Sequence, residues 1–479
     1  MTKRVQEITS DSSFWSNAKD YERIDICFSD IHIRKHSFVP QYLKQCGAIL
    51  SYIYDALVKH DNVNLLFLGD LFDSAKPTNS EQKIAAIFFD LLRRVKDKKD
   101  YVFISGNHVK SDYRETDPVR FLLDLIHLFM DVKEGDYFNN ITYVQDPETI
   151  ISHDGLVSYF SIPYDPIYMR GEEGSELFIE TLKRLVENSN TKHRVLLSHL
   201  PTANGFYDTG FASTSGLLMT TEHVRGADLV LMGDYHTPQR LRWANAGLDA
   251  DTITRDGYCN DEPFGCYIGA PFQFYFSHKF KPCIRLVGYK KSGDIDVIKL
   301  NTEDILSIEQ QQDYGSIYNE NFFLDVLCPY TYFVTYDLGK DGAVEKIFED
   351  LQNLPENFYP VIRIHGVHGI ESNHTLSLIR TLIDKINDQR GDYPILLMDG
   401  RTTLSEMETF SNGEVSDSFD EFLENSKALS GTKMVGDFTN FLFNKFYQEG
   451  EDEHNKGMRS ILAEITSEGE GETNIKVKK

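Results

Sequence analysis

Asn64-Leu65-Leu66-Phe67-Leu68-Gly69-Asp70-Leu71-Phe72-Asp73 decides how this chain reads. A short apolar run of strand length gives way to a glycine, which lets the backbone turn sharply, and then to a carboxylate. The same punctuation recurs at Phe28-Ser29-Asp30, Ser105-Gly106-Asn107-His108, Ser198-His199 and Met232-Gly233-Asp234. In α/β folds the loops beyond the carboxyl ends of strands line the ligand crevice. Each of these runs therefore delivers a metal-type ligand to one edge of the fold.

Working outward, strands are predicted at Ile24–Ser29, Asn64–Leu68, Tyr101–Ser105, Arg194–Ser198, Asp228–Met232, Gly265–Gly269 and Cys283–Tyr289. Helical spacing marks Gln41–His60, Ser80–Lys96, Pro118–Met130 and Gly174–Asn188. The alternation implies an α/β fold layered on a central sheet through residue 300. From Asn301 a polar connector (Glu309–Asn319) leads to a small α+β unit, residues 301–400, with strands near Tyr332–Thr335 and Val361–Ile364 and a helix near Leu376–Gln389. Residues 401–479 read as an acidic linker followed by amphipathic helices at Phe438–Gln448 and Met458–Ile465, which either dock a partner or pack on their own body.

Bulk properties set the frame. A chain of 479 residues implies more than one domain, and 41% hydrophobic with 26% charged residues excludes global disorder. The longest apolar stretches, such as Ile84–Leu92, are interrupted by charge at Asp90 and fall far short of the roughly 20 residues that span a bilayer. With a polar Met1–Asp20 and no apolar leader, a cytoplasmic protein with no membrane partner is expected. Six cysteines, at 27, 46, 259, 266, 283 and 328, form no CxxC pair, and Cys27 and Cys283 lie in apolar runs as buried thiols. A net charge of −25 runs against a nucleic-acid binder, unless the acid sits around cations and a local basic groove or a basic partner faces the phosphates.

The chemistry lies in the strand ends. Residues i and i+2 of an extended segment project to one side, so Asp30 and His32 can reach one ion. A carboxylate with an imidazole suits Mn, Fe, Zn or Co better than Ca. Asp70 offers two oxygens that can bridge metals about 3.5–4 Å apart. Asn107 adds a neutral carbonyl ligand, and His108 can donate a proton to a leaving oxygen. His199 and the Gly233-Asp234-Tyr235-His236 turn complete the set. Arg34, Lys35 and His36, with Lys110 and Arg114, form either a phosphate-binding groove or a solvated rim. Phe272, Phe274, Tyr275 and Phe276 either stack on bases or belong to the core.

The ordered set D-x-H, G-D, G-N-H, H and G-x-x-H over residues 20–290 resembles the calcineurin-like metallophosphoesterase superfamily. Gly69-Asp70-Leu71-Phe72-Asp73, Ser198-His199-Leu200-Pro201 and Tyr267-Ile268-Gly269-Ala270-Pro271-Phe272-Gln273 are similar to the SbcD-type DNA repair and recombination nucleases, phage subunits included. The resemblance implies a layered β-sandwich flanked by helices, with residues 1–300 as nuclease domain, 301–400 as a capping, DNA-binding domain and 401–479 for partner docking. It also implies two divalent metal ions, Mn2+ ahead of Mg2+. One would be held by Asp30, His32, Asp70 and His236, the other by Asp70, Asn107, His199 and Asp234, with His108 at the leaving group.

DNA and an SbcC-type ATPase subunit are the implied partners, with homodimer pairing and, for a phage-encoded chain, the host cytoplasm. No G-x-x-x-x-G-K-[ST] occurs, so ATP hydrolysis would belong to that other subunit. A phosphatase or small-molecule phosphodiesterase, and a catalytically weakened scaffold, are the competing readings. Three positions depart from the family: Asp234 where G-H-x-H has its first histidine, Asp73 where many relatives carry histidine, and Val109 where an acid often follows G-N-H.

Overall fold

The computed structural model describes residues 4–10, 12–34, 42–95, 99–108, 117–129, 141–187, 189–203, 205, 213, 216–241, 243, 264–275, 278, 280–306, 330–355, 358–365, 369–390 and 395–399. Within them run sixteen strands: β1 Val5–Ser10, β2 Tyr21–Phe28, β3 Val63–Phe67, β4 Tyr101–Ile104, β5 Ile141–Val144, β6 Glu148–Ile151, β7 Val157–Ile162 and β8 His193–His199. Then follow β9 Leu229–Gly233, β10 Gln239–Arg240, β11 Phe264–Tyr267, β12 Cys283–Lys290, β13 Ile295–Asn301, β14 Tyr330–Asp337, β15 Phe358–His365 and β16 Leu396–Asp399.

These strands do not form the single central sheet that helix–strand alternation suggests. Thirteen of them sort into two sheets that share a core, the layered β-sandwich that the resemblance implies, with orders β1-β13-β12-β2-β3-β4-β5 and β10-β11-β9-β8-β7-β6. Alternation explains the split. On β2, β3 and the residue that follows β3, Cys27, Leu66 and Leu68 point into the layer between the sheets, where they meet Val195, Leu197, Leu229, Leu231 and Cys266. The intervening Phe28 and Phe67 pack with their rings tilted, and Phe67 continues through Phe103 to Phe89 of the helix Asn79–Arg94 (α2, after α1 Tyr42–Lys59). Strands buried on both faces read as unbroken apolar runs, which is why periodicity alone suggested one sheet. The second sheet is covered by Gly171–Glu187, whose Phe178, Leu182 and Leu185 pack on Phe160, Leu196 and Val230.

Pairing sets where the strands end. β2, β3, β4 and β5 run parallel, as do β11, β9, β8 and β7, so their carboxyl ends gather at one edge of each sheet. The register Phe28↔Phe67 and His199↔Gly233 aligns the ligand-bearing ends within each sheet.

A buried polar cluster joins the layers away from that edge. Arg23 on β2 donates to Asp25 at 2.8 Å and to Asp154 at 2.9 Å, and Tyr159 on β7 donates to Asp25 at 2.6 Å. Cys27, Cys46, Cys266 and Cys283 are buried free thiols.

The described residues fall into two compact units. One takes in residues up to Thr335 with Val344–Ile362 and Ser377–Leu397, and the other includes Tyr336–Ala343 and Arg363–Leu376. The sheet β14-β15-β16 is accompanied by helices Ala343–Gln352 and Gly369–Arg390. The helix expected at Leu376–Gln389 thus begins two turns earlier. No helix among the described residues is long and apolar enough to cross a membrane. The connector Glu309–Asn319, the helices Phe438–Gln448 and Met458–Ile465, and cysteines 259 and 328 lie outside the described residues.

Candidate metal centre

Five strand ends deliver the candidate ligands: β2 to Asp30 and His32, β3 to Asp70, β4 to Asn107 and His108, β8 to His199, and β9 to Asp234 and His236. Beyond the strands the first two loops stay paired, through Asp30 N–H to Gly69 O at 3.0 Å and His32 N–H to Asp70 O at 3.1 Å. That pairing forces an unusual backbone. Asp30 (φ 51°), His32 (φ 45°), Asp70 (φ 58°) and Asp234 (φ 95°) are the only non-glycine residues with positive φ among those described. Asp30-Ile31-His32 is therefore not the extended segment its spacing suggests. Two left-handed residues flank a buried Ile31 and still send both side chains to one place. Each such residue costs about 1–3 kcal/mol, strain that the surrounding structure holds in place.

The donor atoms converge. His32 Nε2 lies 3.1 Å from His236 Nε2, 3.9 Å from Asp30 Oδ1 and 4.0 Å from Asp70 Oδ2. Two ligand atoms each about 2.1 Å from a common ion, set at right angles, stand about 3 Å apart. Asp70 Oδ2 is also 3.3 Å from His199 Nε2 and 3.8 Å from His108 Nε2, so one carboxylate oxygen borders three imidazoles. His199 Nε2 is 3.9 Å from Asp234 Oδ1. Three overlapping clusters result: Asp30, His32 and His236; His32, Asp70 and His108; Asp30, Asp70 and His199.

Hydrogen bonds fix which atom of each group stays available. His108 N–H donates to Asp70 Oδ1 at 3.1 Å, and Asp234 N–H donates to Asp30 Oδ2 at 3.2 Å. Asn107 Nδ2 donates to Asp234 Oδ1 at 2.9 Å, which orients its amide. His199 Nδ1–H donates to Leu68 O at 2.5 Å, leaving Nε2 to face Asp70. His108 Nδ1–H likewise donates to Asp73 O at 2.6 Å, so its Nε2 faces the centre.

What remains is a set of buried atoms with no hydrogen bond: Asp30 Oδ1, Asn107 Oδ1, His199 Nε2 and His32 Nδ1. Such orphans are costly unless something pairs with them. Asp30 Oδ1 and Asn107 Oδ1 are electron-pair donors, and His199 Nε2 becomes one when a cation takes the place of its proton, which is the chemistry that fits divalent cations.

Two glycines are imposed by this crowding. A Cβ on Gly106 would stand 2.0 Å from Asp70 Oδ1, and one on Gly69 would stand 2.2 Å from His199 Nδ1.

Electrostatics agree. Burial pushes the Asp30 carboxyl above the usual range and Asp234 up to about 7. Burial also pushes the Asp70 carboxyl up, but His199, with His32 and His108, holds it well below the carboxylate range. Burial drives His32 far below the ordinary imidazole value. At His199 the lowering by burial is outweighed by Asp70, and its imidazole rises to about 10. Three carboxylates in one dry spot call for positive charge.

Of the residues expected at the phosphate groove, Arg34 is mostly buried. It donates to Asp73 Oδ2 at 3.0 Å and lies 5.4 Å over the Phe274 ring. Lys35, His36, Lys110 and Arg114 lie outside the described residues, as do Val109 and Phe276. Phe272 and Phe274 belong to the core, and Phe274 packs edge-on against His32 and His236. Two site residues escaped sequence reasoning. Asp73 was noted there only as a departure, although its place three after Asp70 was a usable signal. Tyr164 follows β7, which was not expected as a strand. Its N–H donates to Ser105 O at 3.2 Å, and burial pushes its phenol up, with Asp234 and Asp70 adding to the rise.

Residues 26–238 match the family model of the calcineurin-like phosphoesterases. No curated protein matches. Among solved structures, GAP50, the anchor in the inner membrane complex of Plasmodium, is similar at 10% identity over 59% of this chain and 85% of its own, with a TM-score of 0.31. A protein of unknown function from Aquifex aeolicus is similar at 16% identity over 45% of this chain and 80% of its own, with a TM-score of 0.19.

Proposed function

We propose that this chain hydrolyses phosphodiester bonds in DNA with two divalent ions, Mn2+ ahead of Mg2+, as the nuclease subunit of an SbcCD-like recombination and repair complex. The observation that carries the hydrolytic part is the meeting of five strand ends on Asp70, over a stretch that matches a phosphoesterase family. Asp30, His32, Asp70 and His236 would hold one ion, and Asp70, Asn107, His199 and Asp234 the other. Ions bound there would neutralise charge on a phosphoester and lower the pKa of the attacking water.

The chain's own residues supply the rest. With Nδ1–H fixed on the Asp73 carbonyl, His108 presents Nε2 toward the centre, where it can give a proton to the departing oxygen. Asp234 orients the Asn107 amide, and backbone N–H groups fix one oxygen each of Asp30 and Asp70. Phe274 and Tyr42 close the wall behind His32 and His236, limiting water on that side.

Support for DNA as substrate comes from the motifs 69–73, 198–201 and 267–273. Residues 301–479, more than a free-standing phosphatase needs, would cap the DNA and dock an SbcC-type ATPase. The test is release of nucleotides from linear duplex DNA by the full chain with that partner. Activity that depends on Mn2+ and falls by about 100-fold or more in His108→Ala is expected. Hydrolysis of a generic phosphomonoester with no attack on DNA would replace this reading with that of a phosphatase.

A further inference from the structure

We propose that Asp73 is a positioning residue for His32, its carboxylate receiving the Nδ1–H of that imidazole while Arg34 holds the carboxylate from the other side. The inference rests on the reading of His32 as a metal ligand through Nε2. A ligating histidine commonly donates its other ring N–H to a carboxylate, which sets both tautomer and ring orientation.

The geometry has that form. His32 Nε2 points at His236, Asp30 and Asp70, so a metal-binding role leaves Nδ1 to carry the proton. Nδ1 is buried and has no hydrogen bond, and the Asp73 Oδ1 oxygen stands 3.4 Å away. Oδ2 of the same carboxylate accepts from Arg34 Nη1 at 3.0 Å. Arg34 is fixed in turn by the Tyr275 hydroxyl at 3.4 Å, and its guanidinium lies over Phe274 and Tyr275. Asp73 thus approaches the distal nitrogen of His32, on the opposite side of the ring from the gathered donor atoms. That separates it from the ligands themselves.

Asp73 also serves His108, but through its backbone carbonyl. Replacing its side chain therefore removes the acceptor for His32 and leaves the acceptor for His108 in place.

The experiment is calorimetric titration of the full chain with Mn2+, beside thermal unfolding without metal, for the parent, Asp73→Ala and Asp73→Asn. One of two binding steps should weaken by about 10–100-fold in Asp73→Ala, with the other within about twofold of the parent. The loss should be smaller in Asp73→Asn, whose amide oxygen still accepts Nδ1–H, and the metal-free midpoints should agree. Should Asp73→Ala fail to fold, Asp73→Asn decides alone: a selective loss supports the proposal. Affinities within twofold of the parent, or losses that follow a lowered metal-free midpoint, would overturn it. A parent chain that binds no Mn2+ would overturn the metal centre itself.

Discussion

Asp234 brings a third carboxylate to a centre that already holds Asp30 and Asp70, and it does so at φ 95°, where a side chain is strained. In the proposed two-ion arrangement one half would offer three oxygen-donor residues, Asp70, Asn107 and Asp234, with a single imidazole, His199. The other half would offer two and two. Oxygen-rich sites favour Mn2+ and Mg2+ over Zn2+. Asp234→Ala should lower bound Mn2+ from two ions per chain to one, measured by metal analysis after equilibrium dialysis; two retained ions would remove Asp234 from the ligand set. The candidate ligands were legible as punctuation after apolar runs, because a strand buried on both faces has little choice but to end in a polar turn. The left-handed backbone at Asp30 and His32 was not legible. It is imposed by hydrogen bonds to Gly69 and Asp70, some forty residues away in sequence.

Single strands carry their own consequences. On β2 the Arg23 guanidinium is fully buried against Asp25, Asp100 and Asp154. Arg23→Ala would leave Asp25 buried without its counter-ion, and a loss of about 3–5 kcal/mol is expected in urea unfolding. On β1, burial pushes the Glu7 carboxyl up, but Arg285 and Arg240 outweigh it and hold the group below its usual value. A carboxyl depressed in the folded state contributes stability above its unfolded pKa, near 4.5, and loses it as pH falls through the folded value. The unfolding midpoint of the parent should therefore drop more steeply below about pH 4.5 than that of Glu7→Gln. Parallel acid curves would exclude the pair. β1, β5, β6, β7, β10, β13 and β16 escaped sequence reading, several of them for one reason. Polar residues such as Glu7, Glu148, Ser158 and Asp296 interrupt their apolar pattern, and β1 pairs with β13 about 290 residues further on, which no local window registers.

At the level of the whole molecule, the first sheet contributes Asp30, His32, Asp70, Asn107 and His108, and the second contributes His199, Asp234 and His236. An ion held between them would join both sheets and favour the folded chain over the unfolded one. At a hundred times its dissociation constant, a Mn2+ ion should add about 2.7 kcal/mol of stability per site. Thermal unfolding with Mn2+ against EDTA would register it as a higher midpoint, and identical midpoints would exclude a metal shared by the two sheets. Two-sheet architecture could not be read from helix–strand alternation, since both sheets use the same strand–helix–strand grammar. Only the alternation of facing residues, visible once the strands are paired, separates them.

The same division has a consequence for how the protein is made. His236 follows His32 by 204 residues. At about 5–20 residues per second, a ribosome takes roughly 10 to 40 s to travel that far. Until that interval ends the nascent chain holds Asp30 and His32 without His236, the third member of their cluster. A cation bound at the proposed centre would thus be captured fully only late in synthesis, once the second sheet has arrived.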